Sequence, residues 1–297
     1  MSPRRGQEFA GCTVAMVTPF RGGEVDYEAM GAQIEWQIKQ GTPVISPVGT
    51  TGESPTLSHE EHERIIAFVV ERVAGRVKVM PGTGSNATAE ALRLTKFAKR
   101  TGADAALVVA PYYNRPSQEG IYRHYAALAE SGDIPIVLYN VPGRTGRNVD
   151  AATVERLARF APIVAVKEAS GQLDQVSELI ARTDLTILSG DDTLILPMMA
   201  VGASGVISVV ANLVPTDVMA LITAIQQCRL ADAQAIHRRL FPLCKDLMGI
   251  APNPIPIKMA LNLVGRGNGE MRLPLCEADS SGTLALRNAL QQYGLVS

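Results

Sequence analysis

The sequence predicts an α/β fold, a (β/α)8 TIM barrel with a C-terminal helical region. Three observations carry that expectation. Eight short apolar, β-branched runs recur along the first three quarters of the chain. The runs are continuous rather than alternating, as expected of parallel strands covered on both faces. Helical patterns separate them, which gives the strand–helix rhythm of a barrel. A doubly wound open sheet would share that rhythm; the number of strands favours closure.

The runs, in order, are TVAMVTPF (13–20), PVISPVG (43–49), VKVMPG (77–82), AALVVAP (105–111), IPIVLYN (134–140), PIVAVKE (162–168), LTILSG (185–190) and GVISVV (205–210). Between the second and third, Ser58 and Glu61 form a capping box that starts a helix over about 60–74. Between the third and fourth, Ala87, Ala91, Leu94 and Ala98 fall on one stripe of a helix over 86–100. LILPMMAVGASGVISVVANLV (194–214) is mostly apolar, but Pro197, Gly202, Ser204, Gly205 and Asn212 interrupt it. It reads as a buried helix followed by a buried strand, not as a membrane span. Residues 1–227 are assigned to the barrel and its active site. Residues 228–297 read as two or three further helices interrupted by NPIPIK (253–258). No internal repeat exceeds the strand–helix unit.

Composition narrows the class. Among 297 residues, Lys and Arg number 28 and Asp and Glu 29. That balance leaves no electrostatic footprint for nucleic acid or an anionic membrane surface. Cys12, Cys228, Cys244 and Cys276 are too far apart for a zinc site and read as reduced thiols of a cytoplasmic protein. MSPRRGQEFAG has no apolar stretch after its arginines, so it is no secretory signal.

In a barrel the chemistry collects at the C-terminal ends of the strands. Those ends carry Gly49-Thr50-Thr51-Gly52-Glu53, Pro81-Gly82-Thr83-Gly84, Tyr112-Tyr113-Asn114-Arg115, Tyr139-Asn140-Val141-Pro142-Gly143-Arg144, Lys167-Glu168 and Gly190-Asp191-Asp192. Lys167 stands out, because it closes the apolar run IVAV. By itself it could be a strand-end lysine reaching solvent or a carboxylate. An apolar surround disfavours the ammonium, however, and a neutral amine attacks carbonyls. Tyr139, an ordinary core tyrosine in isolation, is a suitable proton relay beside such a lysine. Thr50 and Thr51, between glycines, present hydroxyls and backbone N–H groups to a small carboxylate. Arg144 carries a fork for a second carboxylate.

Two patterns are decoys. GTGSNA matches the GxGxxA dinucleotide form, with Asp104 as a ribose acid, but it follows the third strand rather than opening the first unit. Asp191-Asp192 lacks the neighbours of a metal site and reads as a turn capping the next helix.

GTTGES (49–54), YYNRPSQEG (112–120), YNVPGRTG (139–146), KEASG (167–171), SGDD (189–192) and NPIPIK, in this order, resemble the dihydrodipicolinate synthase family. These are class I, pyruvate-dependent aldolases related to N-acetylneuraminate lyase. The resemblance spans nearly the whole chain. It implies a (β/α)8 barrel assembled as a homotetramer, a dimer of tight dimers. It also implies condensation of pyruvate with L-aspartate 4-semialdehyde to 4-hydroxy-tetrahydrodipicolinate, the entry step of diaminopimelate and lysine synthesis. No metal or organic cofactor is needed. Carried over, Lys167 forms the imine and Tyr139 relays protons. Thr50 links Tyr139 to Tyr113 of a neighbouring subunit. Thr51 holds the pyruvate carboxylate, Gly190 and Ile207 line the pocket, and Arg144 places the semialdehyde carboxylate. Many family members are inhibited by lysine at the tight-dimer interface. The matching positions are Pro55, His59, His62, Asn86, Glu90 and Tyr112, and position 55 is often alanine in sensitive members. His59 and His62 are expected on one helix face; the alternative is that both are solvated surface residues. The competing readings are a sister aldolase, of the N-acetylneuraminate lyase or 4-hydroxy-2-oxoglutarate type, and a non-catalytic barrel that senses pyruvate or lysine. Arg144 and YYNRP argue against the first, and the intact lysine, tyrosine and threonine set against the second.

Overall fold

A computed structural model describes residues 4–132 and 134–297. The eight barrel strands are β1 (Gly11–Ala15), β2 (Val44–Ser46), β3 (Lys78–Val79), β4 (Ala106–Val109), β5 (Ile136–Asn140), β6 (Ile163–Glu168), β7 (Thr186–Ser189) and β8 (Gly205–Ser208). All their pairings are parallel, and β1 pairs with β8 as well as β2. A parallel bridge between Gly82 and Leu107 joins β3 to β4. There Thr83 N–H donates to the Leu107 carbonyl at 2.9 Å and Leu107 N–H to the Pro81 carbonyl at 2.9 Å. The cylinder therefore closes, and the open-sheet alternative falls away.

The side-chain period of two sorts each strand between two cores. Along β5, Ile136 and Leu138 face the surrounding helices, while Val137 and Tyr139 belong to the barrel interior. The interior also holds Phe9, Ala15, Val44, Met80, Leu107, Leu188 and Ile207. On β6, Val166 faces outward and Ala165 inward, so Lys167, two residues after Ala165, falls on the inner side. Continuous apolar runs are what such doubly covered strands require.

The capping box forms as expected, with Ser58 N–H donating to Glu61 at 2.8 Å and Glu61 N–H to Ser58 Oγ at 3.2 Å. It opens the helix His59–Val73. The next helix runs Thr88–Thr101 and buries Ala91, Leu94 and Ala98. Ala87 is its exposed N-cap and not part of the stripe. Residues 194–214 contain a helix, Ile195–Ala200, and then β8. Among the described residues no helix is long and apolar enough to cross a membrane. After the barrel come helices Leu230–Gly249, Ile255–Leu263 and Ser280–Tyr293. The third-last of these breaks off before NPIPIK, and Pro254 caps the helix that follows.

Candidate active site

Both decoys have structural explanations. A Cβ on Gly82 would lie 2.5 Å from the Val48 carbonyl oxygen, and one on Gly84 2.3 Å from the Val109 nitrogen. These glycines let the end of β3 lie against its neighbours, which is reason enough for their presence. Asp104 accepts the Val79 N–H at 2.8 Å, at the opposite end of the barrel from the strand C-termini. Asp192 does not cap its own helical turn; its buried carboxylate accepts the N–H groups of Val209 and Val210 at 3.0 and 2.9 Å, tying down the end of β8. Among the described residues no cluster of His, Cys, Asp and Glu could hold a metal ion.

Lys167 is buried, 5% exposed, and pairs in register with Tyr139 on β5 and Leu188 on β7. Its Nζ lies over the Tyr139 ring, 4.1 Å from the ring centre. Gly190 makes room for the lysine, because a Cβ there would sit 3.2 Å from Lys167 Cε and 2.6 Å from Ala169 Cβ. Ile207 belongs to the same interior cluster as Tyr139. Burial pushes the carboxyls of Asp191 and Asp192 above the ordinary range; proximity to Lys167 opposes this at Asp191, and at Asp192 the hydrogen bonds from Ser208, Val210 and Val209 oppose it first.

Glu168, the next residue, alternates to the outer side and is held there. Its carboxylate accepts from Asn140 Nδ2 at 3.0 Å, Ser170 N–H at 2.7 Å and Gln175 Nε2 at 2.9 Å. A buried carboxylate with this many donors fixes the end of β6, and with it the backbone that carries Lys167.

Thr50, Tyr139 and Arg144 line one cavity of about 220 Å³ above the strands, together with Pro55, Tyr112 and Thr145. Arg144 is presented by the short helix Pro142–Thr145 and donates from Nη2 to the Asn253 carbonyl at 3.0 Å. Thr51, beside Thr50, is buried, and its Oγ1 accepts from Asn253 Nδ2 at 3.0 Å. The loop carrying the threonines is constrained. Val48 has φ 50° and Glu53 φ 54°, a conformation costly for a β-branched valine. A buried ion pair between Glu53 and Lys258 holds the loop to the helix Ile255–Leu263, and Lys258 also donates to the Thr18 carbonyl at 2.8 Å. A larger cleft, about 520 Å³, lies outside the barrel beside helix Tyr27–Lys39, where Arg266 stacks 3.9 Å from the Trp36 ring. Lys167 lines neither cavity; it meets the smaller one through the Tyr139 ring, against which it packs.

Tyr113 stands apart from this group. It is 90% exposed at φ 70°, and no hydrogen bond joins Thr50 to either tyrosine among the described residues. The six positions matched to a lysine-binding site divide. His59 is exposed and pairs with Glu90 at 3.0 Å. His62, expected on the same face, is buried, with Nε2 2.8 Å from the Gly82 carbonyl and Nδ1 3.4 Å from Ser54 Oγ. A carbonyl only accepts, so Nε2 bears the proton and Nδ1 accepts from the serine. Burial holds this imidazole below its usual pKa. Tyr112 and Pro55 belong to the cavity of Thr50, and the Asn86 carbonyl accepts from Asn114 at 2.9 Å. Sequence reading missed the roles of Asn253, Lys258 and Glu53. NPIPIK was a recognisable motif, but nothing local shows that it reaches Thr51 and Arg144.

Residues 8–293 match the model of the dihydrodipicolinate synthetase family. The chain belongs to that family. It is 50% identical to the 4-hydroxy-tetrahydrodipicolinate synthase of Syntrophus aciditrophicus over 97% of this chain and 99% of that protein. It is also 50% identical to the enzyme of the same name from Methanocaldococcus jannaschii, over 97% and 100%. The dihydrodipicolinate synthase of Aquifex aeolicus superposes with TM-score 0.95 at 49% identity, covering 97% of this chain and 99% of the other. Two further family structures superpose with TM-score 0.94 over 97% of this chain and 99% of the other. One, 41% identical, is the chloride-inhibited synthase of Acinetobacter baumannii complexed with pyruvate; the other, 39% identical, is that of Cyanidioschyzon merolae with lysine bound. This family member is an enzyme, and its fold is the family's barrel.

Proposed function

We propose that the chain is a 4-hydroxy-tetrahydrodipicolinate synthase that joins pyruvate to L-aspartate 4-semialdehyde through a Schiff base on Lys167. The observation that carries this is a buried lysine amine at the inner end of β6, against Tyr139 and cleared by Gly190, in a chain half identical to curated synthases. The names of those relatives support the synthase over a sister aldolase.

The neutral Lys167 amine adds to C2 of pyruvate, and water leaves to give a cationic imine. The imine draws electrons from the methyl carbon, whose proton is lost, and the resulting enamine attacks the aldehyde carbon. The amine of the semialdehyde then adds at C2 and displaces Lys167, closing the ring and restoring the free enzyme. Tyr139, alongside the lysine, is the proton carrier for carbinolamine formation and breakdown. Thr51 anchors the pyruvate carboxylate, and Gly190 and Ile207 bound the pocket. Arg144, at the cavity wall, takes the second carboxylate as a charge-assisted pair. The exposed Tyr113 serves a neighbouring subunit, where Thr50 connects it to Tyr139. The assembly is a homotetramer of tight dimers, and the enzyme works in the cytoplasm.

Lysine inhibits at the groove of Pro55, His59, His62, Asn86, Glu90 and Tyr112. Glu90 is the partner for its amino group, and His62 is a buried neutral wall. Activity unmoved by millimolar lysine would remove this regulatory reading.

The test is incubation with pyruvate and borohydride followed by peptide mapping, then a coupled assay with the semialdehyde and a reductase. An adduct on Lys167 with semialdehyde turnover is expected. Absence of the adduct refutes the Schiff-base chemistry. An adduct without turnover refutes the acceptor.

A further inference from the structure

Asn253 lies 202 residues from Thr51 and 109 from Arg144, yet it touches both. Its side-chain Nδ2 donates to Thr51 Oγ1 at 3.0 Å, and its backbone carbonyl accepts from Arg144 Nη2 at 3.0 Å. The residue is 6% exposed, and its Oδ1 is buried with no hydrogen-bond partner among the described residues. An asparagine held with half of its amide unspent is not there for its own satisfaction.

We infer that Asn253 is a positioning residue that sets both carboxylate anchors of the site, Thr51 through its side chain and Arg144 through its carbonyl. The inference rests on the assignment of those two residues to the substrates' carboxylates. A hydroxyl that receives a hydrogen bond from an amide keeps its own proton free, so Asn253 commits Thr51 to donate into the site. The carbonyl takes one N–H of the guanidinium and leaves the others for a ligand, which fixes the plane of the fork. The segment carrying Asn253 is itself held, because Lys258, five residues on, forms the buried ion pair with Glu53 of the Thr50–Thr51 loop. The loop after β2 and the loop after β5 are thereby brought to one reference point outside the barrel.

The readout is the pyruvate concentration giving half-maximal borohydride trapping on Lys167, measured for wild type, Asn253→Ala, Thr51→Val and the double variant, with melting curves. Asn253→Ala should raise that concentration about tenfold, the worth of one committed hydrogen bond. In the Thr51→Val background it should change it little, because the group it acts through is gone. The KM for the semialdehyde should rise less than that for pyruvate, since alanine keeps the carbonyl that Arg144 uses. Equal factors in both backgrounds, or no change in either, overturn the inference. Asn253→Asp preserves shape but only accepts, so Thr51 must spend its proton on it. This variant should also raise the half-saturation; a wild-type value in a folded Asp variant overturns the inference even where the Ala variant does not fold. No trapping in the wild type overturns the underlying assignment and this inference with it.

Discussion

Gly190→Ala tests whether Lys167 depends on the space left by a missing side chain. A Cβ at 190 would lie 2.6 Å from Ala169 Cβ, 3.2 Å from the Glu168 carbonyl oxygen and 3.2 Å from Lys167 Cε. Ordinary carbon contacts begin near 3.5 Å, so the gap to Ala169 is short by about 1 Å. Ala169 cannot rotate its Cβ away, so backbone must move. Gly190 N–H donates to that same Glu168 carbonyl at 2.8 Å, which couples the movement to the end of β6. Overpacking of this kind costs about 1–3 kcal/mol, or a few degrees of Tm for a chain of this size. A misplacement of about 1 Å at a reacting group costs on the order of 100-fold in rate. Borohydride trapping of pyruvate should slow by about that factor, with Tm lowered by a few degrees. Gly249→Ala is the control, since a Cβ there meets nothing within 4 Å and its φ is not left-handed. Wild-type trapping and melting in Gly190→Ala would refute the argument.

Four further outcomes are expected. Lys167→Ala should give no borohydride adduct while remaining folded, as read by mass spectrometry and circular dichroism. Arg144→Ala should retain the pyruvate adduct but lose about 10- to 100-fold in kcat/KM for the semialdehyde, the worth of a charged hydrogen bond. Glu53→Gln leaves the buried Lys258 charge without its partner and should destabilise by about 3–5 kcal/mol in urea titrations. The buried His124, with Nε2 unpartnered among the described residues, has its pKa pushed down by burial to about 4 from 6.5. Between those values the unfolded chain holds a proton that the folded one does not, so stability falls as pH drops through this window, by roughly 3 kcal/mol in all. His124→Asn should flatten that acid limb, measured as the urea midpoint from pH 7 to pH 4.5; an unchanged slope would count against it.

The strand order and the placement of Lys167 were legible because both are local properties. Each run had to be covered on two faces, and period two along IVAVKE decides which side Lys167 takes. The same rule put Tyr139 beside it, since parallel neighbours with similar starting points bring similar residues level. Local reasoning failed where a contact crosses the chain. His59 and His62 are alike in sequence and three apart, but only His62 meets the Gly82 carbonyl and is buried. Asp192 looked like a cap for the turn it starts and instead serves Val209 and Val210. The position of GTGSNA after the third strand already sets it aside as a dinucleotide loop; the backbones of Val48 and Val109 against its glycines supply the reason they are there.

The sequence alone determined eight doubly covered strands and a lysine at the end of the sixth, and their number favoured the closure that the Gly82–Leu107 bridge completes. Those follow from periodicity and composition within a few residues of each position. Only the tertiary structure decided how the rim is held: Asn253 between Thr51 and Arg144, and Lys258 against Glu53. A hydrogen bond across 202 residues leaves no periodicity behind, because its two ends are set by how the whole chain closes rather than by either neighbourhood.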